Sequence, residues 1–170
     1  MHTYLKIPLF IFSIGISSLL AGQTFAQVPQ TFTAPDETVV VTFHAEGAQI
    51  YECKFDPNNK LVWQFREPIA SLLLDGKTAG RHYAGPNWEH IDGSAVRAKA
   101  VANVPGTTPD DIPWLRLEVT SRHGNGAFSG VSTVQRINTK GGVSKGPCDK
   151  AGSYHSVPYS ADYVFLGRGD

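Results

Sequence analysis

Trp114-Leu115-Arg116-Leu117-Glu118-Val119-Thr120 alternates apolar and polar residues without a break. That period of two belongs to a β-strand with one face packed and one in water. It places Leu115, Leu117 and Val119 inward, and Arg116, Glu118 and Thr120 outward. Gly124-Asn125-Gly126 follows as a hairpin turn, and 128–138 reads as the returning strand. Upstream, Pro105, Pro109 and Pro113 with Gly106 make 105–113 a loop.

The same reading extends outward in both directions. The β-branched run Val39 to Ala45 is a strand, Glu46-Gly47 a turn, and Ala48 to Phe55 a second strand. Asp56-Pro57-Asn58-Asn59 is turn chemistry, and Leu61 to Arg66 is a third strand. Glu67 to Leu74 fits a helical turn or a buried strand equally well, and Asp75-Gly76 ends it. Asp92-Gly93 is a further turn, Ser94 to Val104 a long strand, and Val157 to Phe165 the last, with Tyr159, Ala161, Tyr163 and Phe165 on one side. The expected fold is all-β: a single antiparallel sandwich or barrel of about 7–9 strands. Trp63 and Trp114 are expected in its core.

The N-terminus reads as a targeting segment. His2 and Lys6 give a weakly positive start, Ile7 to Leu20 is uncharged and mostly apolar, and Thr24-Phe25-Ala26 suits a signal peptidase. The run is shorter than the ~20 apolar residues of a membrane span. The expected organisation is therefore a cleaved signal peptide over 1–26, an N-terminal linker over 27–38, and one β domain over 39–167. The mature chain would be exported, periplasmic or extracellular, with no membrane span. Cys53 and Cys148 are the only cysteines. An even count in an exported chain reads as one disulfide, closing a loop of about 95 residues and worth roughly 4–5 kcal/mol on the chain-entropy model.

Lys and Arg number 15, and Asp and Glu number 15. That balance, without a basic run, gives no footprint for nucleic acid or for an anionic membrane. No phosphate-binding Gly loop, dinucleotide fingerprint or nucleophile elbow is present in the chain.

Side chains able to do chemistry concentrate between Gly80 and Ser94, in Gly80-Arg81-His82-Tyr83-Ala84-Gly85-Pro86-Asn87-Trp88-Glu89-His90-Ile91-Asp92-Gly93-Ser94. Arg81, His82, Tyr83, Trp88 and Glu89 are the candidate ligand-binding residues, with help from the 105–113 loop. Aromatic faces there could stack on a flat ligand. The first reading is a non-enzymatic domain that binds a small molecule, glycan or envelope component. An alternative is a metal-dependent enzyme or carrier using His82, His90 and Asp92, with Glu89, His123 or His155 as further ligands. That alternative alone would bring in a metal ion; otherwise no cofactor is predicted. A third reading makes the stretch a rigid corner of a structural or protein-interaction domain. Adjacent Glu89 and His90 would face opposite sides of any strand.

Six blocks in order resemble an exported bacterial and fungal family catalogued as DUF3455, a domain of unknown function. They are Gln49 to Cys53; Gly80 to Glu89; Asp92-Gly93-Ser94; Ile112 to Leu115; Gln135 to Thr139 with Gly141-Gly142; and Pro158 to Tyr163. The resemblance implies a single secreted domain from about Gly47 to Phe165 and assigns no catalytic residue. Some fungal relatives bear a malate dehydrogenase label, for which this chain offers neither the glycine motif nor a βαβ pattern.

Overall fold

The computed structural model describes residues 30–168. The expected signal peptide and residues 27–29 lie outside them. Eight strands follow one another: β1 Glu37–Phe55, β2 Leu61–Leu74, β3 Lys77–Tyr83, β4 Asn87–His90, β5 Ala95–Val104, β6 Trp114–His123, β7 Val131–Gly141 and β8 Tyr154–Arg168. Each pairs antiparallel with the next, and β8 returns to β1, so the sheet is a closed up-and-down barrel. Closure runs from Glu37↔Arg168 to Glu52↔Tyr154. Every strand has two neighbours, but β3 and β4 are short, so β2 before Ala70 and β5 after Arg97 extend beyond their ladders with them.

Period-two burial explains most of the strands; two expectations are corrected and one open alternative is resolved. Glu46-Gly47 is not a turn: β1 is one strand of 19 residues. A Cβ on Gly47 would run into the Ile69 carbonyl and Ala70 on β2. Glycine is there because two strands come unusually close, not because the chain reverses. The ambiguous Glu67–Leu74 segment is strand, with Pro68, Ala70 and Leu72 buried and Ile69 and Ser71 exposed. Pro68 is tolerated because the β1–β2 register shifts beside it, between Ile50 and Tyr51. Trp114 is buried as expected, but Trp63 is only half-buried, packed against His155 near one rim.

The N-terminal stretch before β1 is more than a linker. Phe32, on a short 3-10 turn at Gln30–Phe32, is fully buried, and its carbonyl accepts a hydrogen bond from Gln135 Nε2 at 2.6 Å. Gln135 lies on the outer side of β7, so this segment packs on the outside of the barrel. β1 itself starts at Glu37, two residues ahead of the expected domain boundary.

The two barrel ends differ. One end carries the β2–β3 and β4–β5 turns and the 124–130 loop. It is closed by Phe128, fully buried and stacked on Phe165 with ring centroids 4.4 Å apart, with Phe43 edge-on to both. Asp92 holds this plug in place. Its Oδ1 accepts from the backbone N–H and hydroxyl of Ser94, its Oδ2 accepts from Ala127 N–H at 2.8 Å, and the Ser94 hydroxyl accepts from Phe128 N–H. These bonds hold the Asp92 carboxyl below the usual carboxylate range, the Ser94 hydroxyl first among them.

The other end carries the 84–86 turn, the 105–113 loop and the long 142–153 connection. Here the Cys53–Cys148 disulfide, with Cα atoms 5.8 Å apart, ties the end of β1 to that connection. Asp111 pins the 105–113 loop by accepting from Thr108 and from Gly141 N–H. Tyr51 donates to the Gly142 carbonyl at 2.8 Å.

Gly47→Ala is expected to lower unfolding stability by about 1–3 kcal/mol, the cost of overpacking a filled interior. Urea denaturation measures it; a change near zero would mean that the close β1–β2 approach does not constrain the fold.

Candidate functional site

The sequence between 80 and 94 holds the β3–β4 hairpin and the turn into β5. β3 and β4 pair with Arg81 opposite Glu89 and His82 opposite Trp88. Gly85, at φ 128°, makes the reversal between them. In a hairpin the two-residue period sorts the candidates onto two faces. His82 and Trp88 point into the barrel, 3% and 1% exposed. Arg81, Tyr83 and Glu89 point outward.

Inside, the His82 and Trp88 rings stack with centroids 4.4 Å apart and planes 9° from parallel. Tyr163 of β8 closes on both, at 5.0 and 5.4 Å. The His82 Nδ1 lies 2.8 Å from the Asn87 carbonyl. A carbonyl only accepts, so that nitrogen carries the proton and the neutral ring leaves Nε2 as an acceptor. Burial pushes the His82 pKa down to about 3, against a smaller opposing effect of the Asn87 bond. His82 is therefore a neutral imidazole under all ordinary conditions.

Outside, Arg81 and Glu89 form a forked ion pair at 2.9–3.3 Å, and the Tyr83 hydroxyl donates to Glu89 at 3.1 Å. The Arg81 guanidinium lies 5.2 Å from the centre of the Tyr83 ring. The Arg81 bond holds the Glu89 carboxyl low. The cluster is self-satisfied and solvated, the condition in which ion pairs contribute little.

His90 also turns inward, against Phe43 and Phe128 at the plugged end, and its Nδ1 is 3.0 Å from Asp92 Oδ2. Glu89 and His90 do face opposite sides. His82 stands apart from the His90–Asp92 pair, held by Trp88 and Asn87. His155 Nδ1 lies 3.0 Å from the Ser144 hydroxyl, and His123 ends β6 opposite Ala95. Among the described residues no three His, Cys, Asp or Glu side chains gather where they could hold a metal ion.

A cavity of about 150 Å³ opens at the barrel end away from Phe128. His82, Trp88 and Tyr163 border it, Leu115 and Leu117 line one wall, and Arg136 reaches in from β7. The 84–86 turn and Phe65, Arg66 and Pro68 of β2 form its rim. The 105–113 loop stays out of the wall and acts through Pro113, whose carbonyl accepts from Arg136 Nε at 3.1 Å and Nη2 at 2.8 Å. The Trp88 indole N–H is buried with no hydrogen-bond partner. Next to the cavity the Tyr159 and Tyr163 hydroxyls are 3.3 Å apart, and burial raises both phenols.

The residues that sequence reading missed are Arg136, Tyr163 and the Leu115–Leu117 wall. Tyr163 and the two leucines had been assigned to inner faces without being tied to a site. Arg136 shares the inner face of β7 with Val134, opposite Tyr163 and Phe165. A cation at an inward-facing parity was the available signal.

The His82 state sets a pH dependence. Unfolding restores a pKa near 6.5, so below that the unfolded chain binds a proton the fold refuses. Stability from this group is complete above pH 6.5 and is lost as pH falls toward 3, at about 1.4 kcal/mol per pH unit across roughly pH 6 to 4. Chemical denaturation over that range should show a slope steeper in wild type than in His82→Gln by about that amount, the remainder coming from carboxyls such as Asp92 and Glu89 that the fold holds low; equal slopes would mean that His82 titrates in the fold.

No curated protein and no solved structure matches this chain. One family model does, over residues 34–79 and 73–167, and its description is a protein of unknown function. These spans take in every strand of the barrel but the last residue of β8, and the chain belongs to the DUF3455 family.

Proposed function

We propose that this is an exported, non-enzymatic binding domain that takes a small molecule into the open end of the barrel, over the His82–Trp88 stack. The observation that carries the reading is the asymmetry of the interior. An eight-stranded barrel is just wide enough to be filled by side chains or to hold one small ligand. This one is filled by Phe43, Phe128 and Phe165 at one end and left with a cavity at the other. A mostly apolar cavity of that volume suits a benzene-sized solute.

The lining favours binding over reaction. It contains no Ser, Thr, Cys, Lys, Asp or Glu, and burial keeps its one phenol, Tyr163, protonated. Its one imidazole is held neutral and has its proton committed to Asn87. Of the three ligand classes expected from the sequence, a small molecule fits best, because a mostly carbon wall offers few partners for the hydroxyls of a glycan. The Cys53–Cys148 bridge is compatible with an oxidising compartment.

Toluene and phenol, titrated into the oxidised protein, should shift the Trp88 indole N–H resonance in a saturable way. Ala84 is exposed on the 84–86 turn at the cavity rim. Ala84→Trp should keep the fold and weaken both solutes at least tenfold. Absence of any saturable shift in wild type would overturn the reading.

A further inference from the structure

We infer that the molecule taken in this cavity is a small organic anion, with a flat or branched apolar body of about benzene size and one carboxylate, the carboxylate meeting Arg136 and the body covering Trp88. The inference rests on the reading of the cavity as a ligand site and adds its chemical class.

Three observations converge on it. The cavity wall carries two arginines and no acid. Among the described residues, the other cation of the wall already has a partner: Arg66 lies 3.4 Å from Glu67. Surface cations nearby are likewise matched, Arg81 with Glu89 and Lys54 with Glu52. Arg136 has no carboxylate within ion-pair distance among the described residues. Its partners are neutral: the Pro113 carbonyl, through Nε and Nη2, and the Tyr163 hydroxyl. The two bonds to the carbonyl fix the plane of the guanidinium and leave three of its five N–H groups free of that carbonyl. A half-buried guanidinium held in place by a backbone carbonyl is suited to a fork of hydrogen bonds from a carboxylate.

The second observation is the Trp88 indole N–H. It is buried without a partner in a side chain that borders the same cavity. An indole N–H only donates, so its missing partner is an acceptor. An arginine on the cavity wall asks for oxygen, not for a cation.

Third, nothing in the wall cancels the charge. His82 is neutral and its Nδ1–H is taken by Asn87. Burial raises the Tyr163 phenol, so it stays protonated. The Arg136 charge is felt across the inner surface, acting to lower the pKa of Tyr51, His82, Tyr159 and Tyr163. The walls beyond these groups are Leu115, Leu117 and aromatic carbon, which set the apolar body of the ligand.

The test compares three probes of one shape on the oxidised full domain by calorimetric titration: benzoate, benzamide and benzylamine. Benzoate should bind about ten- to a hundredfold more tightly than benzamide, as expected for a charge-assisted pair, with benzylamine weakest. Arg136→Met should bring benzoate down to the level of benzamide. Equal binding of benzoate and benzamide by wild type would overturn the anion and leave the cavity reading standing, as would a benzoate preference that survives Arg136→Met. Failure of all three probes, together with toluene and phenol, would remove the cavity reading itself. Should Arg136→Met not fold, the three-probe ranking on wild type decides alone.

Discussion

A sheet of eight strands that closes on itself fixes the width of its own interior. Every other feature of this domain answers to that constraint. Closure through the long β1–β8 pairing leaves one lumen, and each strand must turn alternate side chains into it. Where strands crowd, the lumen takes small residues: Ala45, Gly47, Ala70 and Ala161. Where it widens, it takes rings. At one end Phe128, delivered by a loop rather than a strand, completes the filling. At the other the rings of His82, Trp88 and Tyr163 make a floor instead of a plug, and space remains above them.

The conspicuous polar residues of the chain divide into two roles on this frame. Asp92, Ser94 and Asp111 are fasteners. Each accepts or relays hydrogen bonds to backbone N–H groups of a neighbouring loop, and so keeps the two ends of the barrel in shape. Arg81, Tyr83 and Glu89 satisfy one another on the outer wall. Facing the cavity are His82, Trp88 and Arg136, whose polar atoms are not all used by the fold.

Much of the architecture was legible because alternation is a strong signal when one face is packed. Leu115, Leu117 and Val119 faced inward as read, and so did the β8 row from Tyr159 to Phe165. The disulfide also followed from two cysteines in a chain with an export-like leader. The failures have physical causes. Gly47 was read as a reversal because glycine serves turns and close strand approaches equally, and only the position of β2 separates the two. The 80–94 stretch hid a hairpin because its four-residue β4 is too short to show a period. Arg136 was passed over because β7 contains a bulge, between Val131 and Thr133, that breaks parity counting from the start of the strand. Val131 and Val134 both face the core, three residues apart. Phe128 looked like the first residue of a strand and is instead the plug.

The central claim is that ligand enters the lumen rather than settling on the outer face of the same hairpin. Intermolecular nuclear Overhauser effects from bound benzoate test it most directly, because alternate residues of β3 and β4 report on opposite sides of one sheet. The account predicts contacts from the benzoate ring to the Leu115 and Leu117 methyls and to the Trp88 indole. Contacts confined to Tyr83 and Ile69, both on the outer wall, would contradict it.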